Sequence, residues 1–598
     1  MKLDLFTNNS SIFSLKKKWV CLLIIGISSL ILRLIFFPYE IPFTLDNLDY
    51  FAYSVKVSQI GGLPQDWHIS NNGWPILNSL LFSIMPNTEM MDYMFGQRIL
   101  ATIFSVITII PLYYLFRKFF SEQIAILGTI IFSFEPHLII NSSAGGIYPI
   151  AIFLLTSSFS LFLSKRKFTI YLSFFTAAIL SCFRYELIVI IIPLVIFYFL
   201  EFKNENKKYL KFISCIILFS TVILFVGILN YANTGQDGLI SNFIYEQNFT
   251  KESLLENKDT GDTWIDDIEE FRVLNFLVKG FENSSMIFLL ALFPILLFIV
   301  PYGIYRIFKG KKIENYFIII SGIVLFLPAF YAYGWEMRDA RYIFILYPFF
   351  VLVSLYSINW IQEKFNPKIK YLIIFAIIVI SIVFLFFETS NHQEEKESFE
   401  IAKILVNNAE GYNLYYPNGK YVKSALLLDS WPEILPNNEN GHIVRDLIRI
   451  DDINYETVNE FIRNSENILD TESSRNKDDS EILWNSFKIN EKLPSTSLRI
   501  GDKNFSSIDA FIHTNSTGKY LLNNIRYFSD GTHRETPPGL THIIVNENEN
   551  ENEIFKKIYW QSEKYPYLEK IFDSKELEMS NGVKIFKINY KLFHNLEN

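Results

Sequence analysis

The 598-residue chain has only three cysteines, Cys21, Cys182 and Cys215, and each lies inside an apolar run. A thiol in such surroundings behaves as a small hydrophobe, so neither a disulfide framework nor a zinc site is on offer. Charge is scarce too, with 19% Asp, Glu, Lys and Arg and a net charge of -8. The lack of a basic surplus excludes a nucleic-acid binder as a partner class. There is no Walker or dinucleotide glycine fingerprint, which speaks against ATP-driven chemistry. What the chain has is apolar surface: 50% hydrophobic residues, 17% aromatics and 57 phenylalanines. That composition excludes intrinsic disorder.

The charge is unevenly placed. Residues 388–598 hold about 24 basic and 35 acidic residues, so roughly -11 sits in the last third and about +3 in the rest. Apolar runs of about 15 to 20 residues, suited to a hydrocarbon core of about 30 Å, recur through the first 387 residues. Eleven are expected, near 19–37, 97–116, 122–140, 147–164, 168–182, 186–200, 211–229, 286–305, 315–333, 341–360 and 370–387. Short connections on one side carry roughly 20 basic residues, among them Lys16 to Lys18, Lys165 to Lys167 and Lys311 with Lys312. The longer connections opposite carry roughly 10. The amino-terminal tail, 1–18, is therefore expected in the cytoplasm. The connections 38–96 and 230–285 and the domain 388–598 are expected outside.

The fold class expected is a polytopic α-helical membrane protein of about eleven transmembrane helices with a carboxyl-terminal extracytoplasmic α/β domain. In that domain, β-rich runs at Asn413 to Tyr416, Thr541 to Val545 and Val583 to Tyr590 alternate with a helical stretch at Val458 to Leu469. The Asn-Glu alternation from Asn546 to Glu553 reads as a solvated turn. Sequons at Asn248, Asn283, Asn504 and Asn515 fall on the expected outer side, where they are candidate glycan acceptors.

Cytoplasmic connections of a dozen residues or fewer leave no room for a nucleotide-binding domain. An enzyme of this form faces outward and takes its activated substrate from the bilayer. In the first outer connection Asp46 and Asp49 stand three apart, a spacing that shares one helix face, with Tyr50 next to them. A carboxylate at the membrane surface can take the proton of an attacking hydroxyl; otherwise it caps or solvates a loop. Gly62-Leu63-Pro64 and Asn71-Asn72-Gly73-Trp74-Pro75 are turn clusters around a stretch suited to the interface plane. Arg184, Arg338 and Arg341 oppose the positive-inside bias. Their guanidinium groups suit a phosphate leaving group, unless they snorkel or pair with Glu186, Glu336 or Asp339. His68 and His137 are isolated and read as structural.

This ordered set resembles the GT-C superfamily of polyprenyl- and dolichyl-phosphate-sugar-dependent glycosyltransferases, nearest its protein-mannosyltransferase and aminoarabinose-transferase-like branch, in an archaeal form. The matching pieces are Asp46 with Tyr50, the two glycine-proline turns, and Arg98 opening the second apolar helix. Arg184-x-Glu186 follows, and then Arg341-Tyr342 ahead of Pro348. The resemblance implies transfer of a sugar, with inversion, from a lipid-phosphate donor to an acceptor hydroxyl on protein, lipid or glycan. Asp46 would be the base, with Asp49 in support. Tyr50, Arg184, Glu186, Arg338, Arg341 and Tyr342 would bind substrate. The branch often has an acid where this chain has Tyr148, and Glu135 or Asp49 would then substitute. No cofactor and no resident metal are expected, since arginines can carry a monophosphate charge. A transporter or lipid flippase, an inactive membrane receptor and an oligosaccharyltransferase are the competing readings.

The loop charges make a direct prediction. Protease added to intact, wall-stripped cells should remove residues 388–598, and full protection would overturn the expected orientation.

Overall fold

The computed structural model describes residues 8–43, 46–64, 69–85, 90–203, 207–251, 272–310, 313–364 and 369–389 of the helical region. Beyond them it describes 396–397, 399–400, 414–415, 447–448, 457–465, 498–500, 503–505, 525–527, 533–535, 542–547, 553–577, 579 and 582–597. The chain divides into two compact units. One comprises Met1–Tyr39 with Leu45–Thr389, the other Glu40–Thr44 with Ser390–Asn598.

The first unit is helical. It begins with α1 (Asn8–Ile35), followed by α2 (Asp46–Ile60) and α3 (Gly73–Phe82), then α4 (Met90–Ile107), α5 (Ile109–Phe116), α6 (Glu122–Ser133) and α7 (Pro136–Ser143). Next come α8 (Tyr148–Leu163), α9 (Lys167–Phe183), a 3-10 turn (Tyr185–Ile190), α10 (Ile191–Glu201), α11 (Lys208–Thr234) and α12 (Ile240–Thr250). The unit closes with α13 (Arg272–Leu292), α14 (Ile299–Lys309), α15 (Ile313–Gly334), a second 3-10 turn (Ala340–Leu346), α16 (Tyr347–Lys364) and α17 (Ile369–Thr389).

Most of the expected runs fall on helices, but 286–305 is corrected: it straddles a break at 293–298, and the apolar span is Val273–Leu292, which begins inside the expected outer connection 230–285. Nor do all the runs have the length of a full crossing. Among the described residues seven helical segments are long and apolar enough to span a bilayer: Lys18–Ile35, Met90–Phe116, Lys208–Thr234, Val273–Leu292, Asn315–Gly334, Ala340–Lys364 and Tyr371–Thr389. The pair α6 and α7 makes an eighth if its bend of 52° is counted as one span. That bend has a local cause. Pro136 has no N–H to continue α6, and Glu135 caps the new helix by accepting from the Leu138 N–H at 3.3 Å. Helices α8 and α9, with 16 and 17 residues, rise only about 24 to 26 Å. Their facing sides are enclosed, with Ala151, Leu155, Phe174, Ala177 and Ala178 fully buried.

Close backbone packing holds the later helices. A Cβ on Gly303 of α14 would lie 2.2 Å from the Val353 carbonyl oxygen of α16, so only glycine admits this approach.

In the second unit the strands are β1 (Leu414–Tyr415), β2 (Leu447–Ile448), β3 (Leu498–Ile500), β4 (Lys503–Phe505), β5 (Ile525–Tyr527), β6 (His533–Glu535), β7 (His542–Asn546), β8 (Leu568–Asp573) and β9 (Val583–Ile588). Five of them form a sheet in the order β2-β1-β7-β9-β8, while β3 with β4 and β5 with β6 form two antiparallel pairs. β1 pairs parallel with β2 and β7, and β9 pairs antiparallel with β7 and β8. Helices Val458–Ser465, Glu553–Gln561 and Tyr590–Glu597 contribute Ile462, Phe555, Ile558 and Phe593 to a core with Ile543, Val545 and Phe586. Strands lie at 414–415, 542–546 and 583–588 and a helix at 458–465 within or beside the expected stretches, but the last strand ends at Ile588 and Tyr590 opens a helix. Most of the Asn-Glu run lies outside the described residues, as does Asn515. One sequon is corrected. Asn283 is 2% exposed on α13 and donates to the Tyr333 carbonyl at 3.0 Å, so no transferase reaches it in the folded chain.

Gly303→Ala should force α14 from α16 and destabilise the unit by roughly 1–3 kcal/mol, read as a lower midpoint of thermal unfolding in detergent.

Candidate active site

Helix α9 stops at Phe183 because Arg184 takes an extended conformation, φ -140° and ψ 103°. From there its guanidinium folds back onto Glu186 in the following 3-10 turn. Nε donates to Oε1 at 2.5 Å, and Nη2 contacts the same oxygen. The Tyr148 ring, at the start of α8, lies under the guanidinium with 4.5 Å between Cζ and the ring centre. Burial works against the Arg184 charge, but Glu186 in contact outweighs it and holds the pKa well above the ordinary arginine value.

The turn that delivers Tyr148 is tied from three sides. Trp74 Nε1 and Gln97 Nε2 both donate to the Gly145 carbonyl, at 3.2 and 2.9 Å. Gly145 itself has φ +76°, a conformation glycine adopts without strain. Asn47 Nδ2 donates to the Ala144 carbonyl at 3.1 Å, and a Cβ on Gly146 would come within 2.8 Å of the Asn47 Oδ1.

Asn71, with φ +62°, accepts from the Tyr185 N–H at 2.8 Å and hydrogen-bonds Tyr50. Burial raises the Tyr50 pKa, while nearby Arg184 and Asn71 lower it in part. The first connection is thus fastened to the Arg184 hinge.

The second arginine is built at the start of the other 3-10 turn. Asp339 caps that turn, its Oδ1 accepting from the Arg341 N–H at 2.8 Å. Arg341 Nε and Nη2 both reach Asp339 Oδ2, at 2.6 and 2.5 Å. Nη1 is 3.4 Å from Asp46 Oδ2, at the first residue of α2. Tyr342 donates weakly to the Met337 sulfur at 3.5 Å and packs edge-on against Tyr333.

These groups face one cavity of about 970 Å³. Of the residues expected from sequence it brings together Asp46, Tyr50, Arg184, Glu186, Arg341 and Tyr342. Two are not in its lining. Asp49 sits exposed in the first turn of α2. Arg338, half exposed, pairs with Glu336 at 3.4 Å, which also meets Lys279 at 3.3 Å. Glu135 is buried as a helix cap bonded to His137 at 3.2 Å, and does not line the cavity. His68 lies outside the described residues.

Sequence reading missed Asn47, and named Asn71 and Asp339 only as a turn residue and a pairing partner. The Asn-Asn-Gly cluster was the available signal for Asn71. It also missed α12, which lends Phe243, Tyr245 and Gln247 to the wall and whose sequon at Asn248 gives no sign of a cavity. Among the described residues no group of three or more His, Cys, Asp or Glu converges as a metal site.

Residues 77–226 match the family model described as dolichyl-phosphate-mannose-protein mannosyltransferase, a stretch that includes Arg98, Tyr148, Arg184 and Glu186. No curated protein matches the sequence. Among solved structures, the Archaeoglobus fulgidus oligosaccharyltransferase with zinc and sulfate is similar at 13% identity and a TM-score of 0.47, over 87% of this chain and 73% of that one. The oligosaccharyltransferase AglB from the same organism, with an inhibitory peptide and a dolichol-phosphate, gives 11%, 0.43, 70% and 64%. ArnT from Cupriavidus metallidurans bound to undecaprenyl phosphate gives 10%, 0.41, 75% and 91%. Identities and TM-scores this low supply no residue-by-residue correspondence. The family match falls on the stretch from within α3 through most of α11, which carries Tyr148, Arg184 and Glu186 of the cavity.

Proposed function

We propose that the chain transfers a sugar from a polyprenyl- or dolichyl-phosphate donor to an acceptor hydroxyl at the outer membrane face. The observation that carries this reading is the cavity itself, in which the Asp46 carboxylate and the Arg184 and Arg341 guanidinium groups face one space. The acceptor oxygen attacks the anomeric carbon as the bond from that carbon to the phosphate oxygen breaks. Asp46 receives the hydroxyl proton, and the phosphate leaves with its electron pair and an added negative charge. Attack from the face opposite the phosphate inverts the anomeric centre. Arginines meet that charge with fixed N–H groups, which is the form of stabilisation most effective in a water-poor site. Mannose is the sugar to test first, following the description of the matched family. The amino terminus is assigned to the cytoplasm and residues 388–598 to the outside, on the loop charges.

Arg338, paired with Glu336 and outside the cavity lining, is left out of the proposed phosphate-binding set, which keeps Arg184 and Arg341.

The experiment is sugar transfer in membranes with a lipid-phosphate-linked donor. Asp46→Asn should lower the rate by about 10²- to 10⁴-fold, the range for one positioned base, with donor binding retained. Near-parental transfer by that variant would move the base elsewhere. Arg341→Lys keeps the charge but loses the two-pronged geometry, so it should weaken donor binding, whereas Arg338→Ala should leave it within about twofold. Transfer should also survive a strong chelator, and its complete loss would show that arginines alone do not hold the leaving group. Mass spectrometry of lipids after gene deletion should reveal the accumulated donor.

A further inference from the structure

The two arginines that face the cavity are not equally committed. A guanidinium has five N–H donors. Arg341 uses Nε and Nη2 on Asp339 and turns Nη1 toward Asp46, so carboxylates meet it on both edges. Among the described residues Arg184 has its hydrogen bonds on one edge only, with Nε and Nη2 both on Glu186 Oε1. Its other edge is the one suited to a two-pronged bond to phosphate. Such a bond needs the plane of the fork fixed, and a carboxylate on one edge does not fix it, because the group can still rock about that contact. The missing constraint is a surface beneath the plane. Tyr148 supplies it, with its ring centre 4.5 Å from Arg184 Cζ.

Tyr148 is itself well fixed. It is 7% exposed, it begins α8 ahead of Pro149, and Phe344 packs edge-on against it at 5.9 Å. The Gly145-Gly146 turn that delivers it is held by Trp74, Gln97 and Asn47. We propose that Tyr148 is a positioning residue for the leaving group: its ring face orients the Arg184 guanidinium so that the edge away from Glu186 receives the donor phosphate. The inference rests on the transferase reading above and adds to it a role for the aromatic ring that stands where an acid was expected.

The test separates ring face, hydroxyl and volume. The probe is a short-chain polyprenyl phosphate, titrated against the purified full-length protein in detergent, with donor KM and kcat measured in parallel. Tyr148→Phe keeps the face and should bind the probe within about twofold of the parent. Tyr148→Leu removes the face and should weaken the probe and raise the donor KM by roughly 3- to 30-fold, the span of a partly to fully desolvated cation-π contact, with a smaller change in kcat. Tyr148→Met replaces it if the leucine variant unfolds, as judged by its thermal midpoint. In an Arg184→Lys background the leucine change should add less than twofold, since the planar fork that it orients is gone. Equal losses in the Phe and Leu variants, or a Leu variant that binds like the parent, would overturn the role of Tyr148. If Arg184→Ala also bound the probe like the parent, the leaving-group reading itself would fail; loss in Arg184→Ala alone would sink only the Tyr148 role.

Discussion

The structure depends on how an arginine is kept inside a helical bundle made largely of aliphatic and aromatic side chains. Removing a guanidinium from water is costly unless every N–H finds an acceptor, and the bundle answers in two ways. Arg33 on α1 is completely buried and donates to Ser105 Oγ of α4, the Ser133 carbonyl of α6 and Ser142 Oγ of α7, each at 3.0 Å, and to Ser29 within its own helix. All three of its nitrogens donate to protein, so it acts as a bolt joining four helices. Arg184 and Arg341 instead sit where helices end, each facing a carboxylate two residues away, and both border open space. The same side chain is structural in one setting and available to a ligand in the other. What separates them is whether the acceptors around it are complete.

Helix ends are also why much of the site could be read from the sequence. Arg184, Glu186, Arg341 and Tyr342 stand at the margins of apolar runs, where a charge or phenol departs from the surrounding pattern, and Asp46 and Tyr50 lie in the first turns of α2 in the connection after the first run. Periodicity could not separate Arg338 from Arg341. Three residues apart, they exchange roles according to where the helix begins. Asp339 decides it by capping the turn at Ala340, which sends Arg341 inward and leaves Arg338 with Glu336. The same limit applies to the eleven runs. Hydropathy located most of them but placed the eighth too late, at 286–305 rather than Val273–Leu292, and did not show that α8 and α9 are short or that Pro136 with its Glu135 cap bends the third run. Asn283 is a further case, since a sequon carries no information about burial.

Long-range contacts were beyond reach for a different reason. Asn47 reaches Ala144, Asn71 reaches Tyr185, and Trp74 reaches Gly145, all across more than 70 positions of chain. None of the partner residues is unusual where it stands, and only the packed bundle makes the pairs meaningful. Together these bonds fasten α2 and α3 to the starts and ends of α8 and α9. Both arginine sites then share one set of supports, so a change in the first connection would reach Arg184 through Asn71 without touching it.

A gradient of exposure across the cavity gives the proposed reaction its direction. Side-chain accessibility rises from 11% at Arg184 and 20% at Glu186, through 28% at Arg341 and 34% at Asp339, to 65% at Asp46. Electrostatic contacts strengthen as water is excluded, so the dry end suits the group that must stabilise new charge on the departing phosphate. The wet end suits a base that must meet an acceptor arriving from solution and pass its proton on. Arg341 lies between the two ends, with Asp339 on one side and Asp46 on the other. In the proposed step the carboxylate of Asp46 is neutralised by the incoming proton, so its pull on Arg341 falls as negative charge grows on the phosphate at the dry end.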